Sequence, residues 1–453
     1  MKQANHIKPR IYTVATAHLD TSWNWTLETT INEYIPKTMH DNFRLFEKYP
    51  DYKFSFEGSY RYELMEEYYP KDFEKVKEYV KQNRWHVTGS AYENGDVNIP
   101  SPEALFRNIL FGNRYFEKTF GKKSCDIYLP DCFGFGYALP SIARHAGLMG
   151  FTTQKLVWSS AYGIPFDLGK WYGVDGNYIY ASLDAMGYTA AFKTVRYNYK
   201  ALIKLKENLR KYNLPFTYIF HGVGDRGGAP LEFSVKAVCR ESAKNDKSKI
   251  DVLSAPADQA FRDMDELLSD SQKESLPVWN NELVSTDHGV GSYTSRAIGK
   301  RWNRRGEQLA DAAERYSSAA TSLFGRQYPS VKLERGWKRL IAHQFHDDIT
   351  GTSLNECYKR NWNDYVLSLN ELSNEYESAV SSLASQLDTS FCKGTAVIVA
   401  NPNQCEGERP FCVNLTMPLP ENVKHIRVFD SKGNEAPAQI NKRENGTADI
   451  SFV

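Results

Sequence analysis

Strand-like and helix-like stretches alternate through the first 285 residues of this 453-residue chain, and that alternation constrains the fold more than any other feature. β-rich runs stand at 11–15 (IYTVA), 52–56 (YKFSF), 85–89 (WHVTG), 124–129 (SCDIYL), 150–153 (GFTT), 178–180 (YIY), 216–220 (FTYIF) and 250–252 (IDV). Helix-like stretches fill 29–48, 60–81, 101–119 and 139–147, the third opened by Ser101-Pro102-Glu103 with proline near its first turn. A helix between consecutive strands acts as a crossover, so parallel strands are expected. The runs make about seven strand–helix units, which suits a closed or nearly closed β/α barrel as well as an open sheet. Periodicity alone does not decide between them.

The pattern changes after about residue 293. Three helical segments, 299–323, 333–343 and 355–387, interleave charged and apolar residues at helical spacing and read as a small bundle. It changes again at Gly394, where strands are expected at 395–400 (TAVIVA), 411–415 (FCVNL) and 425–429 (HIRVF), with hairpin-turn composition at 431–434 (SKGN). A few antiparallel strands make a poor domain by themselves, so this region reads as the start of a β domain whose remainder is missing. The expected divisions are 1–285, a β/α domain; 286–389, a helical bundle; and 390–453, the beginning of a β domain.

Composition narrows the function classes. Lys and Arg total 56 against 55 Asp and Glu, a net charge of +1, which gives no reason to expect nucleic acid or an anionic membrane as partner. No window of about 18 apolar residues exists, so no membrane-spanning helix is expected. The start lacks the apolar stretch of a signal peptide. The seven cysteines are scattered without a CxxC pair, which argues against a zinc ribbon or dithiol motif and for reduced thiols in the cytoplasm. Aromatic residues reach 13%, which suits sugar rings or a large core.

Four segments carry residues able to do chemistry. His18-Leu19-Asp20 lies just past the first strand, where i and i+2 point the same way and β/α folds place their sites. Trp23 and Trp25 follow, able to wall a sugar site or simply to pack. Asp131, in LPDCFGFG at 129–136, lies past the fourth strand. It would face a site or cap the helix near Ala138, and the glycines around Phe135 would let backbone approach a ligand. HGVGDRGGAP at 221–230 lacks the Gly-Lys-Ser/Thr ending of a phosphate loop, leaving Asp225 as a carboxylate beside a cleft. HQFHDDITGT at 343–352 offers His346 and Asp347, but no Glu stands between its histidines as a zinc-protease motif requires.

In order, AHLDTSWNW, LPDCFGFGYALP, GVGDRGGAP, GSYTSR and HQFHDDITGTS resemble glycoside hydrolase family 38, the α-mannosidases, and more closely its cytosolic and bacterial branch. The resemblance spans nearly the whole chain. It implies a seven-stranded β/α barrel, then a three-helix bundle, then a β-sandwich region. The family continues several hundred residues further, implying a C-terminally truncated chain. It also implies one zinc ion, held by His18, Asp20, Asp131 and His346, with Asp131 doubling as nucleophile of a retaining hydrolysis of mannose-containing glycans or oligosaccharides. Another divalent ion could stand in for zinc. Trp23, Asp347, Tyr293 and Arg296 (with Ser295) would contact substrate, or, for the 293–296 stretch, pack at the barrel–bundle junction.

By position the acid/base is Asp225, although the family's GHGDGGGGP reads differently here. Val223, Arg226 and Ala229 depart from it, and Arg226 would favour the ionised carboxylate. Asp287 and Asp348 are the substitutes. Two other functions fit the same residues: a zinc-dependent carbohydrate deacetylase, in which no glycosyl-enzyme forms, and a non-catalytic mannose-binding fragment. Homo-oligomerisation is an open expectation.

Overall fold

A computed structural model describes residues 7–403, 412–420, 422–443 and 446–453. The chain divides into two compact units, residues 1–310 with 329–375, and residues 311–328 with 376–453.

The first unit is α/β. Its central strand β1 (Arg10–Ala17) buries seven of eight residues, as a parallel strand covered on both faces must. The other strands are β2 (Phe54–Glu57), β3 (Trp85–Thr88), β4 (Asp126–Tyr128), β5 (Gly150–Thr152), β6 (Leu168–Tyr172), β7 (Tyr178–Ser182), β8 (Phe216–Val223), β9 (Asp251–Ser254) and β10 (Val278–Trp279). Two sheets result, β3-β2-β1-β8 with β9 also on β1, and β10-β6-β7-β5-β4. Every predicted strand of this region is present.

The pairings are parallel with one exception. β6 and β7 are antiparallel, with Leu168 opposite Ser182. The alternation of strand and helix does not reveal this hairpin, because no helix separates the two strands. The residues linking them are too few for a crossover, and Gly176 takes φ +78° in the turn. Between the sheets the contacts are single bonds rather than ladders. Phe220 N–H donates to Ala185 O at 2.7 Å, and Thr88 Oγ1 donates to Asp126 Oδ1 at 3.1 Å.

Helices cover these strands with apolar faces. Ile35–Lys48 buries Ile35, Met39, Phe43 and Phe46 in one core with Phe54, Phe56 and Trp85. Pro102–Phe120 starts as its sequence predicts: Ser101 Oγ accepts from Ala104 N–H at 3.2 Å, with proline in the first turn. The later helices are Ala297–Phe324, Ser330–Ala342 and Asn355–Ala384, with one short turn of helix, His346–Thr350, before the last. The division between the units falls within the two longest.

The second unit adds a three-stranded antiparallel sheet to helix ends. Its order is β11 (Val413–Pro418), β15 (Thr447–Phe452), β14 (Ala438–Lys442). A hairpin of β12 (Val428–Phe429) and β13 (Glu435–Ala436) turns through the predicted 431–434 segment, where Gly433 takes φ +84°. The strand expected at 411–415 begins at Val413, and Phe411 lies outside the described residues. The strand expected at 395–400 does not form. Val397, Ile398 and Val399 are each more than 40% exposed, and no ladder pairs them among the described residues. β propensity expresses fit to a half-buried pleated surface, and none is supplied here.

One core residue ties this fold to pH. His221 on β8 is buried against Phe192, ring centroids 5.0 Å apart, with Nδ1 unpartnered among the described residues. Burial pushes its pKa down to about 3. The folded state therefore keeps it neutral, while the unfolded chain takes up a proton below about 6.5. Stability from this group is full above that value and drains away as pH falls toward 3. In chelator throughout, moving from pH 7 to 5 should cost the wild type about 2 kcal/mol more than His221→Gln, by urea unfolding.

Candidate active site

His18 and Asp20 follow the buried end of β1, Asp131 follows β4, and His346 opens the short helix after Ser330–Ala342. These segments, distant in sequence, bring their side chains to one point. One ligand atom from each of the four lies within 4.8 Å of the others. His18 Nε2 is 3.0 Å from Asp20 Oδ1, and His346 Nε2 is 3.4 Å from Asp20 Oδ1 and 3.7 Å from Asp131 Oδ2. The two imidazoles lie nearly parallel, 5.4 Å apart at 23°. His18, Asp20 and His346 are buried and Asp131 is partly open to solvent.

Hydrogen bonds decide which nitrogens face inward. His346 Nδ1 is 2.8 Å from the carbonyl oxygen of Asn94, which can only accept, so Nδ1 carries the proton. His18 Nδ1 likewise meets Glu57 Oε1 at 2.8 Å. Both Nε2 atoms are thus left as lone-pair donors aimed at the carboxylates.

The site is short of positive charge. Among the described residues His18 Nε2, His346 Nε2 and Asp20 Oδ1 have no hydrogen-bond partner, an arrangement too costly to bury unless another group satisfies it. Burial pulls the His18 imidazolium down, yet Asp20 and Glu57 outweigh it and raise its pKa to about 10. His346 is raised as well, by Asp131 and Asp20 against the same desolvation. Burial pushes Asp131 up, but His346, Lys155 and His18 outweigh it and hold the carboxyl below the usual range. Two imidazoles and two carboxylates in this state fit a divalent cation, and the mixed nitrogen–oxygen set suits zinc.

Asp131 does not cap the following helix. Its Oδ1 accepts from Lys155 Nζ and, at 3.2 Å, from Tyr188 Oη. The same phenol lies 3.4 Å from Asp225 Oδ1, so one oxygen atom separates the two carboxylates. Asp225 takes φ +62°, and its carbonyl accepts from Asp20 N–H at 2.8 Å, pinning this loop to the first. Desolvation, with Asp20 next, raises its pKa above the ordinary carboxyl value. Arg226 turns away, its guanidinium 5.9 Å above the Trp25 ring, and no ion pair joins it to Asp225 among the described contacts.

The other sequence candidates divide. Asp347 is buried, with Oδ2 3.7 Å from His346 Nε2; desolvation lifts its pKa to about 7. Asp348 is bound instead to His343 Nδ1 at 2.8 Å, and Asp287 is exposed with its N–H on Ser159 Oγ. Tyr293 Oη donates to Asp96 at 2.5 Å, Arg296 lies over the Tyr358 ring at 3.8 Å, and Ser295 Oγ donates to Thr350 O at 2.9 Å. Trp23 packs edge-on to Trp25, 6.1 Å away. None of Asp348, Asp287, Tyr293, Ser295, Arg296 or Trp23 joins the four-residue cluster. Gly134, at φ +119°, brings Phe135 into two bonds with Leu283, at 2.8 and 2.9 Å. Sequence reasoning missed Glu57, Asn94, Lys155 and Tyr188. Glu57 directly follows one predicted strand and Lys155 follows another, positions that carry a signal; Tyr188 lies in an irregular loop and carries none.

The model of the glycosyl hydrolases family 38 N-terminal domain matches residues 8–282, and that of the alpha mannosidase middle domain residues 290–383. Alpha-mannosidase G of Dictyostelium discoideum is 31% identical over 358 residues, 77% of this chain and 31% of that protein. Alpha-mannosidase 2C1 of Homo sapiens is 28% identical over 348 residues, 76% of this chain and 32% of that one. The chain thus spans about a third of the length of these relatives. The crystal structure of an alpha-mannosidase from Enterococcus faecalis superposes with a TM-score of 0.71 at 19% identity, covering 98% of this chain and 54% of that one, a likeness of fold. Among the described residues no helix is long and apolar enough to cross a membrane. The first family model covers more than half of the sequence and includes His18, Asp20 and Asp131, the second includes His346, and the chain belongs to glycosyl hydrolase family 38.

Proposed function

We propose that this chain carries the catalytic site of a zinc-dependent, retaining α-mannosidase acting on terminal α-linked mannose of glycans or oligosaccharides. The observation that carries the reading is the meeting of His18, Asp20, Asp131 and His346, with a second carboxyl, Asp225, one phenolic oxygen from Asp131. The α/β unit is read as a seven-stranded barrel in the order β3-β2-β1-β8-β7-β5-β4, with domain limits near 285 and 389. Single hydrogen bonds between the sheets support that order. A cytoplasmic location belongs to the same proposal and draws on six described cysteines, all free.

His18, Asp20, Asp131 and His346 would hold the ion, which when bound would grip sugar hydroxyls and favour a flattened, oxocarbenium-like ring. The remaining chemistry belongs to the chain. Asp131, kept ionised by His346, Lys155 and His18, attacks the anomeric carbon, while Asp225 gives its proton to the leaving oxygen as the glycosidic bond breaks. Asp225 then takes a proton from water, whose oxygen displaces Asp131 and frees mannose. Retaining pairs stand about 5–5.5 Å apart, a spacing that one bridging phenol suits. Raised Asp225 and lowered Asp131 are the separated pair that acid and nucleophile require. Asp347, beside His346, is read as a sugar contact, with Trp23, Tyr293 and Arg296 farther out.

The test is hydrolysis of an aryl α-mannoside by the zinc-loaded chain, with the anomer released followed by NMR. The expected product is the α-anomer first. Release of the β-anomer first, or deacetylation of an acetylated sugar with no mannoside turnover, rejects the reading.

A further inference from the structure

Behind the cluster lies a second, fully buried set of polar groups. Glu57 Oε1 accepts from His18 Nδ1 at 2.8 Å and also from Asn94 Nδ2 at 3.0 Å. Asn94 in turn accepts from His346 through its backbone carbonyl, from Nδ1 at 2.8 Å and from N–H at 3.3 Å. The two imidazoles are therefore held by one bracket of two residues that touch each other. Among the described residues no other pair accepts from both Nδ1 atoms.

The bracket is itself locked. Asn94 N–H donates to Glu93 Oε1 at 2.7 Å, and Glu93 pairs with Arg61 at 2.8 Å, both side chains at 0% exposure. Arg61 Nε donates to Leu19 O at 2.8 Å, between His18 and Asp20, and Thr21 Oγ1 donates to Glu93 Oε2 at 2.6 Å. The backbone that carries two cluster residues and the carbonyl that orients a third are thus tied to one ion pair. Arg61 balances Glu93, whereas no Lys or Arg pairs with Glu57 among the described residues. Glu57 Oε2 has no hydrogen-bond partner among the described residues. Burying an extra carboxyl group is costly by itself and is offset by a cation on the far side of the imidazole it binds.

We propose that Glu57 and Asn94 form a positioning bracket that sets both imidazoles, Nε2 inward, before any cation arrives. This rests on reading the cluster as a divalent-metal site. The bracket couples the two rings, so loosening it at Glu57 disturbs His346 as well as His18.

The experiment is competition of the 453-residue chain with a chromophoric chelator for zinc, repeated with cobalt to record its absorption bands. Glu57→Gln should weaken binding about 10- to 100-fold and shift the cobalt bands. Asn94→Ala should weaken binding in the same direction, and combining the two changes should cost less than the product of the single losses. A variant that binds both ions as tightly as wild type overturns the proposal. So does one whose metal-free form melts lower while affinity is unchanged, the mark of a purely structural role. A wild type that binds no divalent ion overturns the metal site and the bracket together. A chain that binds zinc in a Glu57-dependent way yet cleaves no α-mannoside rejects the glycosidase reading and leaves the bracket standing.

Discussion

Asp131→Asn should lower turnover of an aryl α-mannoside by about 10⁴-fold or more, the order seen when a covalent nucleophile is removed. The amide is close in shape but carries no charge and cannot displace the leaving group. It also deprives Lys155 Nζ of the anion it now meets. A mannosyl fluoride bearing a second fluorine at C2 or C5 should label the wild type on the peptide containing Asp131 and leave the variant unlabelled. Asp225→Asn should behave differently. Its loss falls on protonation of the leaving oxygen, so substrates with poor leaving groups should suffer most and activated aryl mannosides least. Azide should restore turnover to that variant and not to Asp131→Asn. The two carboxyls also divide the pH profile. Asp225 acts as an acid only while protonated, and desolvation with Asp20 raises its pKa, so the rate should fall as pH rises through that value. This alkaline limb should vanish in Asp225→Asn. Asp131→Asn retaining activity within tenfold of wild type would end the covalent mechanism.

Much of this site is legible in the sequence because its residues sit at strand ends, where β/α folds collect function. His18 and Asp20 follow β1, and Asp131 follows β4, so each has a positional reason to face a cleft. His346 has no such reason. It follows a helix, and only its resemblance to a known motif assigned it to the same point. The supporting residues were less legible for physical reasons. Glu57 falls just past a short predicted strand, and nothing local says that its carboxyl reaches His18. Asn94 acts partly through its backbone carbonyl, a group that every residue possesses. Lys155 follows a predicted strand, but nothing local says that its ammonium reaches Asp131, and Tyr188 lies in an irregular loop after the β6–β7 hairpin, which the alternating pattern did not reveal. Arg226 reads as a neighbour that should ionise Asp225, but its guanidinium lies over Trp25. The misjudged strand at 395–400 has the same origin, since β-rich text describes a willing strand and says nothing of a partner.

Stripping the chain with a strong chelator should abolish mannosidase activity, and one equivalent of zinc should restore it. The reason lies in the buried charge. Asp20 and Asp131 face each other across two imidazoles whose Nε2 atoms have no hydrogen-bond partner among the described residues. Without a cation the cluster must recruit protons, which is why His18 and His346 are drawn so strongly toward their charged forms. Elemental analysis should find one metal per chain and none after His346→Ala, which removes one of only four ligands. Stability should follow occupancy. A free zinc concentration 100 times the dissociation constant adds about 2.7 kcal/mol to the folded state, so the melting temperature should climb with added zinc and stay flat in His346→Ala. Acid should release the ion, because protons compete for both imidazoles and both carboxylates. The zinc-dependent part of the melting temperature should therefore disappear on acidification before the chain itself unfolds. If zinc left the melting temperature unchanged while activity survived chelation, the four side chains would be a proton-filled cluster and the metal would have no part in the chemistry.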